Sequence, residues 1–256
     1  MSIGSFTLIR DEISWIRQHL DCWLPWLDEM VLFDGCSTDG TLEIIKEFMS
    51  SHPQGHKIIL EKYKNPKDLK DDYVWMFHEA MHSLSTNWAA FLHPDMTCEN
   101  PWDVQEFAKK DGIAAFTHMR SFAGEPGEEI KEIVTGRADK WKQIFRLRSP
   151  DLGAHYHGWY GSADEDVYFR EITGDEHKYH GINFDRYPYP VIDSGLKILH
   201  FSDVRPYERR LNRMKTCLEH QGYGDKSLAI AKEHPRVTLK DGYGFKFVPY
   251  QTAVAA

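Results

Sequence analysis

What the chain lacks narrows the field first. No apolar run approaches the ~20 residues that a membrane-crossing helix needs, so no transmembrane segment is expected. The opening MSIGSFTLIRDE enters a strand pattern at once. It has no basic stretch followed by an apolar one, so no secretory leader is expected. The four cysteines, Cys22, Cys36, Cys98 and Cys217, form no CxxC pair. Free thiols in a reducing compartment are the simplest account, and a cytoplasmic location is the expectation. Surplus positive charge is missing too: 31 Lys and Arg stand against 39 Asp and Glu, a formal net charge of −8. That argues against broad, sequence-independent nucleic-acid binding. The best candidate for a local basic face is Arg205, Arg209, Arg210, Arg213 and Lys215. No internal repeat and no low-complexity linker interrupts the chain.

The 256 residues, 41% of them hydrophobic, suffice for one large core. Apolar periodicity predicts strands at 6–9, 29–33, 57–61, 88–92 and 113–118, and helices around Ile13, Ile16 and Leu20 and at 41–50, 67–84 and 101–109. Strands alternating with helices imply an α/β fold, a mostly parallel central sheet with helices on both faces. The run WAAFL at 88–92 is apolar throughout, as a strand buried on both faces should be. After about residue 120 the rhythm breaks. A loop is expected at 123–127, strands at 143–147 and 197–201, and helices at 206–221 and 225–234. The expected organisation is one domain with a regular half at 1–120 and a less regular half at 121–256.

The segment VLFDGCSTDGT at 31–41 carries the strongest local signal. An apolar run ends in an acid, passes through small and polar residues and enters a helix. In open α/β sheets ligands bind just outside the strands' carboxyl ends. Asp34 stands at such a tip, where its carboxylate can accept hydrogen bonds from a base or ribose. Asp39 or Thr38 can cap the following helix, with Glu43 in its first turn. A well-made β-to-α turn without a ligand would read the same way.

Further constellations lie downstream. His93-Pro94-Asp95 follows WAAFL, and a carboxylate at the end of a central strand can ligate a hard cation that bridges phosphates. A Pro turn with a capping Asp is the alternative. His200 leaves the strand KILHF and is an imidazole ligand for manganese or zinc, or a hydrogen-bonded structural residue. Asp164-Glu165-Asp166 is either a solvated acidic helix start or the source of a general base. His155-Tyr156-His157-Gly158-Trp159 offers aromatic faces and imidazoles to a sugar or a base, or packs as an aromatic loop. His78-Glu79-x-x-His82 matches the zinc-peptidase helix pattern, but Ser85 and Trp88 stand where the extended motif needs Gly and His.

Taken in order, these segments resemble the inverting glycosyltransferases of family 2. LIRDE at 8–12 resembles that family's "RNE"-type strand end, with Asp11 in place of Asn. DGCSTDGT resembles its "DdgStDgT" signature, and the stretch from Phe77 to Asp95 resembles the helix and strand leading to its DxD motif. His93 stands where the first Asp is usual. The resemblance covers residues 3–100 well and is patchy beyond.

The resemblance implies the GT-A (nucleotide-diphospho-sugar transferase) fold, with residues 1–120 binding the nucleotide sugar and 121–256 holding the acceptor and the catalytic base. It implies that Asp34 contacts base or ribose, with Thr7, Arg10 and Glu12 lining the same pocket and His93 and Asp95 beside it. Asp95 and His200 would ligate a divalent cation, Mn2+ or Mg2+. Asp166, with Glu165 as second choice, would be the general base. His157 and Trp159 would face the acceptor. The implied activity is a metal-dependent, inverting hexosyl or pentosyl transfer from a nucleotide sugar, a UDP-sugar favoured, to a hydroxyl. A saccharide or lipid-linked acceptor is favoured over a modified DNA base. The competing expectations are a zinc hydrolase built on His78, Glu79 and His82, and a non-catalytic nucleotide-sugar-binding protein.

Overall fold

The computed structural model describes residues 1–62, 80, 83–112, 114–125, 130–133, 140–146, 157–158, 161–162, 167–173, 176–182, 191–220 and 222–234. The described chain forms two compact units that alternate along the sequence. One comprises Met1–His118 and Ala138–Ile198, the other Met119–Arg137 and Leu199–Ala256.

The first unit is mixed α/β, with a central parallel block flanked by helices. Its elements begin β1 (Ile3–Ile9), α1 (Ile16–Trp23), β2 (Glu29–Asp34), α2 (Thr41–Ser51), β3 (Ile58–Lys62), β4 (Trp88–Phe91), β5 (Met96–Cys98) and α3 (Asp103–Phe107). Strands β6 (Ala114–Gly124) and β13 (Val191–Val204) start in this unit and end in the second. The sheet order is β3-β2-β1-β4-β8-β6-β13-β5, where β8 is Lys140–Arg146, and β10 (Gly161–Ser162) pairs with β8 off this path. Pairing is parallel across β3, β2, β1 and β4, and antiparallel from β4 to β8 and from β8 to β6. A separate antiparallel sheet joins β9 (His157–Gly158), β11 (Val167–Thr173) and β12 (Glu176–Ile182).

Burial explains the parallel block. All four residues of β4 are out of solvent, and Trp88 packs edge-on against Phe107 with ring centroids 4.9 Å apart. Phe6 of β1 stacks on Phe91 at 5.1 Å. Ile16, His19, Leu20 and Trp23 form the buried stripe of α1 at helical spacing. The strand register is tightest at Gly4, where an added Cβ would lie 2.6 Å from Leu84 Cδ2, 2.9 Å from Thr86 Oγ1 and 3.1 Å from the Glu29 carbonyl oxygen. Gly4→Ala is therefore expected to cost about 1–3 kcal/mol by overpacking, read as a lower denaturation midpoint with an unchanged m-value.

Two strands differ from their sequence expectation. β6 continues through Ala123 and Gly124, where a loop is expected, because residues 121–123 pair with β7 (Lys131–Ile133). The strand expected at 197–201 is the middle of the much longer β13. The long helix expected at 67–84 lies outside the described residues except for Ala80, Ser83 and Leu84. Cys22 and Cys98 form no disulfide. Burial pushes Cys22 up to about 11 and Cys98 up to about 12, which keeps both as unreactive thiols.

Candidate functional site

The chain runs β1 to β2 to β3 toward one edge and then returns to place β4 on the other side of β1. The order therefore reverses between β1 and β4. In a parallel sheet such a reversal opens a crevice at the strands' carboxyl ends. The segments that leave those ends are Arg10-Asp11-Glu12 after β1, Gly35 to Gly40 after β2, and His93-Pro94-Asp95 after β4.

Asp34 pairs with Ile9 as the last rung between β2 and β1, and it is wholly buried. Its Oδ2 accepts the Cys36 N–H at 3.1 Å, and its Oδ1 accepts the Ser37 N–H at 3.1 Å. The carboxylate thus organises its own loop, and it does so where Cys36 holds a φ of +66°. That left-handed conformation is rare for a residue with a side chain.

The two neighbouring loops are joined by side chains. Ser37 Oγ accepts the Asp11 N–H at 3.0 Å, and Asp11 Oδ1 accepts the Thr38 N–H at 2.7 Å. The Glu12 N–H donates to Thr41 Oγ1 at 2.8 Å, and that hydroxyl donates to Asp39. Asp39 Oδ1 also accepts the Thr41 N–H at 3.0 Å, and Oδ2 the Ile13 N–H at 3.1 Å. The cap position of α2 falls on Gly40, at φ of +98° and with no side-chain cap hydrogen bond, rather than on Thr38 or Asp39 as expected; Asp39 instead meets the N–H of Thr41, the first residue of the helix. Partial burial raises the Asp39 carboxyl, but hydrogen bonds from the Thr41 hydroxyl and the backbone N–H groups of Ile13 and Thr41 outweigh it. The net shift is below the ordinary value. Glu12 is half-buried beside this network, and Arg10 is exposed.

After β4 the Met96 N–H bonds back to the His93 carbonyl at 3.0 Å, closing a turn with Pro94 in second position. Asp95 is 2% exposed, and His93 is half-buried with its ring 4.7 Å from Phe91. This turn is held from behind by a residue that sequence reasoning missed. His19 Nδ1 lies 3.2 Å from the Met96 carbonyl, and Trp23 Nε1 donates to the same oxygen at 3.0 Å. A carbonyl only accepts, so Nδ1 carries the proton and Nε2 accepts from the Thr7 hydroxyl at 3.3 Å. Thr7 is accordingly fully buried and spends its hydroxyl on His19. Desolvation lowers the His19 imidazole to about 4, against smaller raising effects from the Met96 and His93 backbone and the Asp95 charge. The signal for His19 was its place in the apolar stripe of α1, where a lone His has to find buried partners.

His200, half-buried, and Asp203 lie on the part of β13 that belongs to the second unit. His157 pairs with Arg170 in the small antiparallel sheet. Asp164, Glu165, Asp166, Trp159, His78, Glu79 and His82 lie outside the described residues. Among the described residues no three His, Cys, Asp or Glu side chains gather as a metal cluster. No described helix is long and apolar enough to cross a membrane.

No family model and no curated protein matches the chain. Solved structures do. The mannosyltransferase PcManGT from Pyrobaculum calidifontis, in complex with GDP-Man and Mn2+, is 12% identical over 93% of this chain and 73% of its own, with a TM-score of 0.46. S. aureus TarS is 15% identical over 57% of this chain and 28% of its own, with a TM-score of 0.38. TarS 1–349 in complex with UDP is 14% identical over 57% of this chain and 47% of its own, with a TM-score of 0.35. The chain thus spans less than half the length of the TarS chains it is similar to.

Proposed function

We propose that the chain is a glycosyltransferase of the GT-A fold that transfers a hexosyl or pentosyl unit from a nucleotide sugar to a hydroxyl, with inversion. The observation that carries this reading is the switch point between β1 and β4. It supports a nucleotide crevice bordered by the Asp34 loop, the Arg10–Glu12 segment and the Asp95 turn. Asp34 shapes the loop that receives base and ribose, and Arg10 and Glu12 border the same crevice. His93 and Asp95 lie toward the diphosphate.

Asp95, a buried carboxylate on a proline-stiffened turn, is the kind of oxygen donor that suits Mn2+ or Mg2+. The imidazole of His200 is the second proposed ligand. A bound cation would offset the negative charge that builds on the leaving diphosphate. The chain's own part in the reaction is proton transfer and positioning. Asp166, with Glu165 as the alternative, accepts the acceptor hydroxyl's proton as that oxygen attacks the anomeric carbon. The bond from this carbon to the diphosphate breaks on the opposite face, and its electron pair leaves with the diphosphate. His157 and Trp159 are assigned to the acceptor side, where a saccharide or lipid-linked hydroxyl is favoured over a modified DNA base.

A thermal-shift screen of nucleoside diphosphates and nucleotide sugars, with and without Mn2+, tests the reading. A ligand at a hundredfold excess over its Kd stabilises by roughly 2.7 kcal/mol, so one nucleotide class should raise Tm clearly, and more so with the cation. No shift with any nucleotide would refute the donor site. Transfer with retained configuration, or undiminished transfer by Asp166→Asn, would refute the mechanism.

A further inference from the structure

Arg210 is an unusually placed cation. It stands on α4 (Tyr207–His220) and is 5% exposed, where arginine is seldom buried without partners. Its Nη2 donates to the Glu125 carboxylate in the segment after β6. Its Nε and Nη1 are out of solvent and have no hydrogen-bond partner among the described residues. A guanidinium does not shed its proton at any ordinary pH. Three N–H donors on Nε and Nη1 are therefore buried with a charge that one carboxylate meets along a single edge. Burial of this kind is costly unless an acceptor completes it.

Two more arginines converge nearby, all within the second unit. Arg205 Nε and Arg213 Nη1 donate to the same Ser202 carbonyl, at 3.2 and 3.1 Å, so their guanidinium groups stand together. Arg210 and Arg213 are three residues apart on α4 and so are surface neighbours on that helix. Arg205 is 5% exposed, whereas Arg213 reaches solvent. Among the described residues, Glu125 meets Arg210, and Asp203 accepts the Ser202 hydroxyl at 3.3 Å.

We infer that Arg210, flanked by Arg205 and Arg213, forms a binding site for an oxyanion of the phosphate class. A tetrahedral phosphate offers oxygens to guanidinium groups on several sides, where a carboxylate offers two in one plane. The site rests on the second unit alone and does not depend on the nucleotide-sugar reading. Two sources share this chemistry: a phosphate on the acceptor, and the diphosphate of a nucleotide.

Calorimetric titration of the full-length chain with inorganic phosphate, against chloride and acetate at matched ionic strength, tests the site. Phosphate should bind in preference to both. Arg213→Gln, a change at the surface, should weaken it about tenfold or more, as loss of a charge-assisted hydrogen bond does. Arg210→Lys should weaken it further if the variant folds, with far-UV circular dichroism as the check. No preference for phosphate, or equal affinity in Arg213→Gln, overturns the inference. Displacement of phosphate by a saturating nucleoside diphosphate identifies the donor as the source, and simultaneous binding identifies a phosphorylated acceptor. Phosphate binding without any nucleotide binding would uphold this site while refuting the donor reading.

Discussion

Asp34→Ala is expected to abolish thermal protection by nucleoside diphosphates and to lower the stability of the protein itself. The carboxylate is wholly buried and takes the N–H groups of Cys36 and Ser37. Alanine leaves both donors unmatched beside a residue already held at φ +66°. An unsatisfied buried donor costs about 1–3 kcal/mol, and Cys36 and Ser37 are half-buried, so that water can meet part of the loss; a total of roughly 1–3 kcal/mol is expected. Donor affinity should fall by at least about a hundredfold, since the loop that shapes the crevice loses its organiser. Asp34→Asn separates the two contributions. Its amide oxygen can still accept from the loop, so most of the stability should return. If a negative charge on Asp34 also meets the ligand, nucleotide affinity will not return with it. Urea denaturation and nucleotide titration of both variants decide this. Unchanged nucleotide binding in Asp34→Ala would remove Asp34 from the site.

The second large effect is a loss of stability in mild acid. In the folded chain desolvation holds the His19 imidazole near 4, whereas its ordinary value is 6.5. Between these values the unfolded chain binds a proton that the folded chain refuses. Stability from His19 is thus complete above pH 6.5 and is lost as pH falls from 6.5 toward 4. The separation amounts to roughly 3 kcal/mol. Protonation would also end the acceptance by Nε2 of the Thr7 hydroxyl. Other groups titrate over the same range, so the comparison is with His19→Gln, which keeps a donor and an acceptor but does not titrate. Denaturation free energies at pH 7 and pH 4 should fall further for the native chain than for the variant. Equal losses in both would show that His19 does not carry the effect.

The parallel block was legible because its signals are local. Met30 to Phe33 is apolar and ends in Asp34, and Trp88 to Phe91 is apolar throughout, so both strands showed in the composition of a few residues. The return of the chain to the far side of β1 was not legible, since strand order depends on pairing between residues more than eighty positions apart. β13 was read too short because Asp193, Ser194 and Gly195 are poor strand formers. Its burial alternates regularly from Ser194 to Ile198, and the Ser194 hydroxyl is fixed to the Phe116 carbonyl at 2.8 Å. The arginines of 205–213 were read as one basic face. Arg205 and Arg210 are instead buried. Charge counting cannot separate a solvated arginine from one that a distant glutamate draws inside.

The stitching between the loops after β1 and β2 has a consequence for how fast and how cheaply a ligand can enter. Asp11, Ser37, Asp39 and Thr41 cross-link two segments that are separate in sequence, so neither opens without breaking the other's bonds. The amide protons of Glu12, Ile13 and Thr38 should therefore exchange with solvent together, as one cooperative unit. A rim assembled before the ligand arrives leaves little chain entropy to be lost on binding. On the proposed reading, discrimination among nucleotides at this rim would come from shape already in place, and any closure around the ligand would come from other parts of the chain.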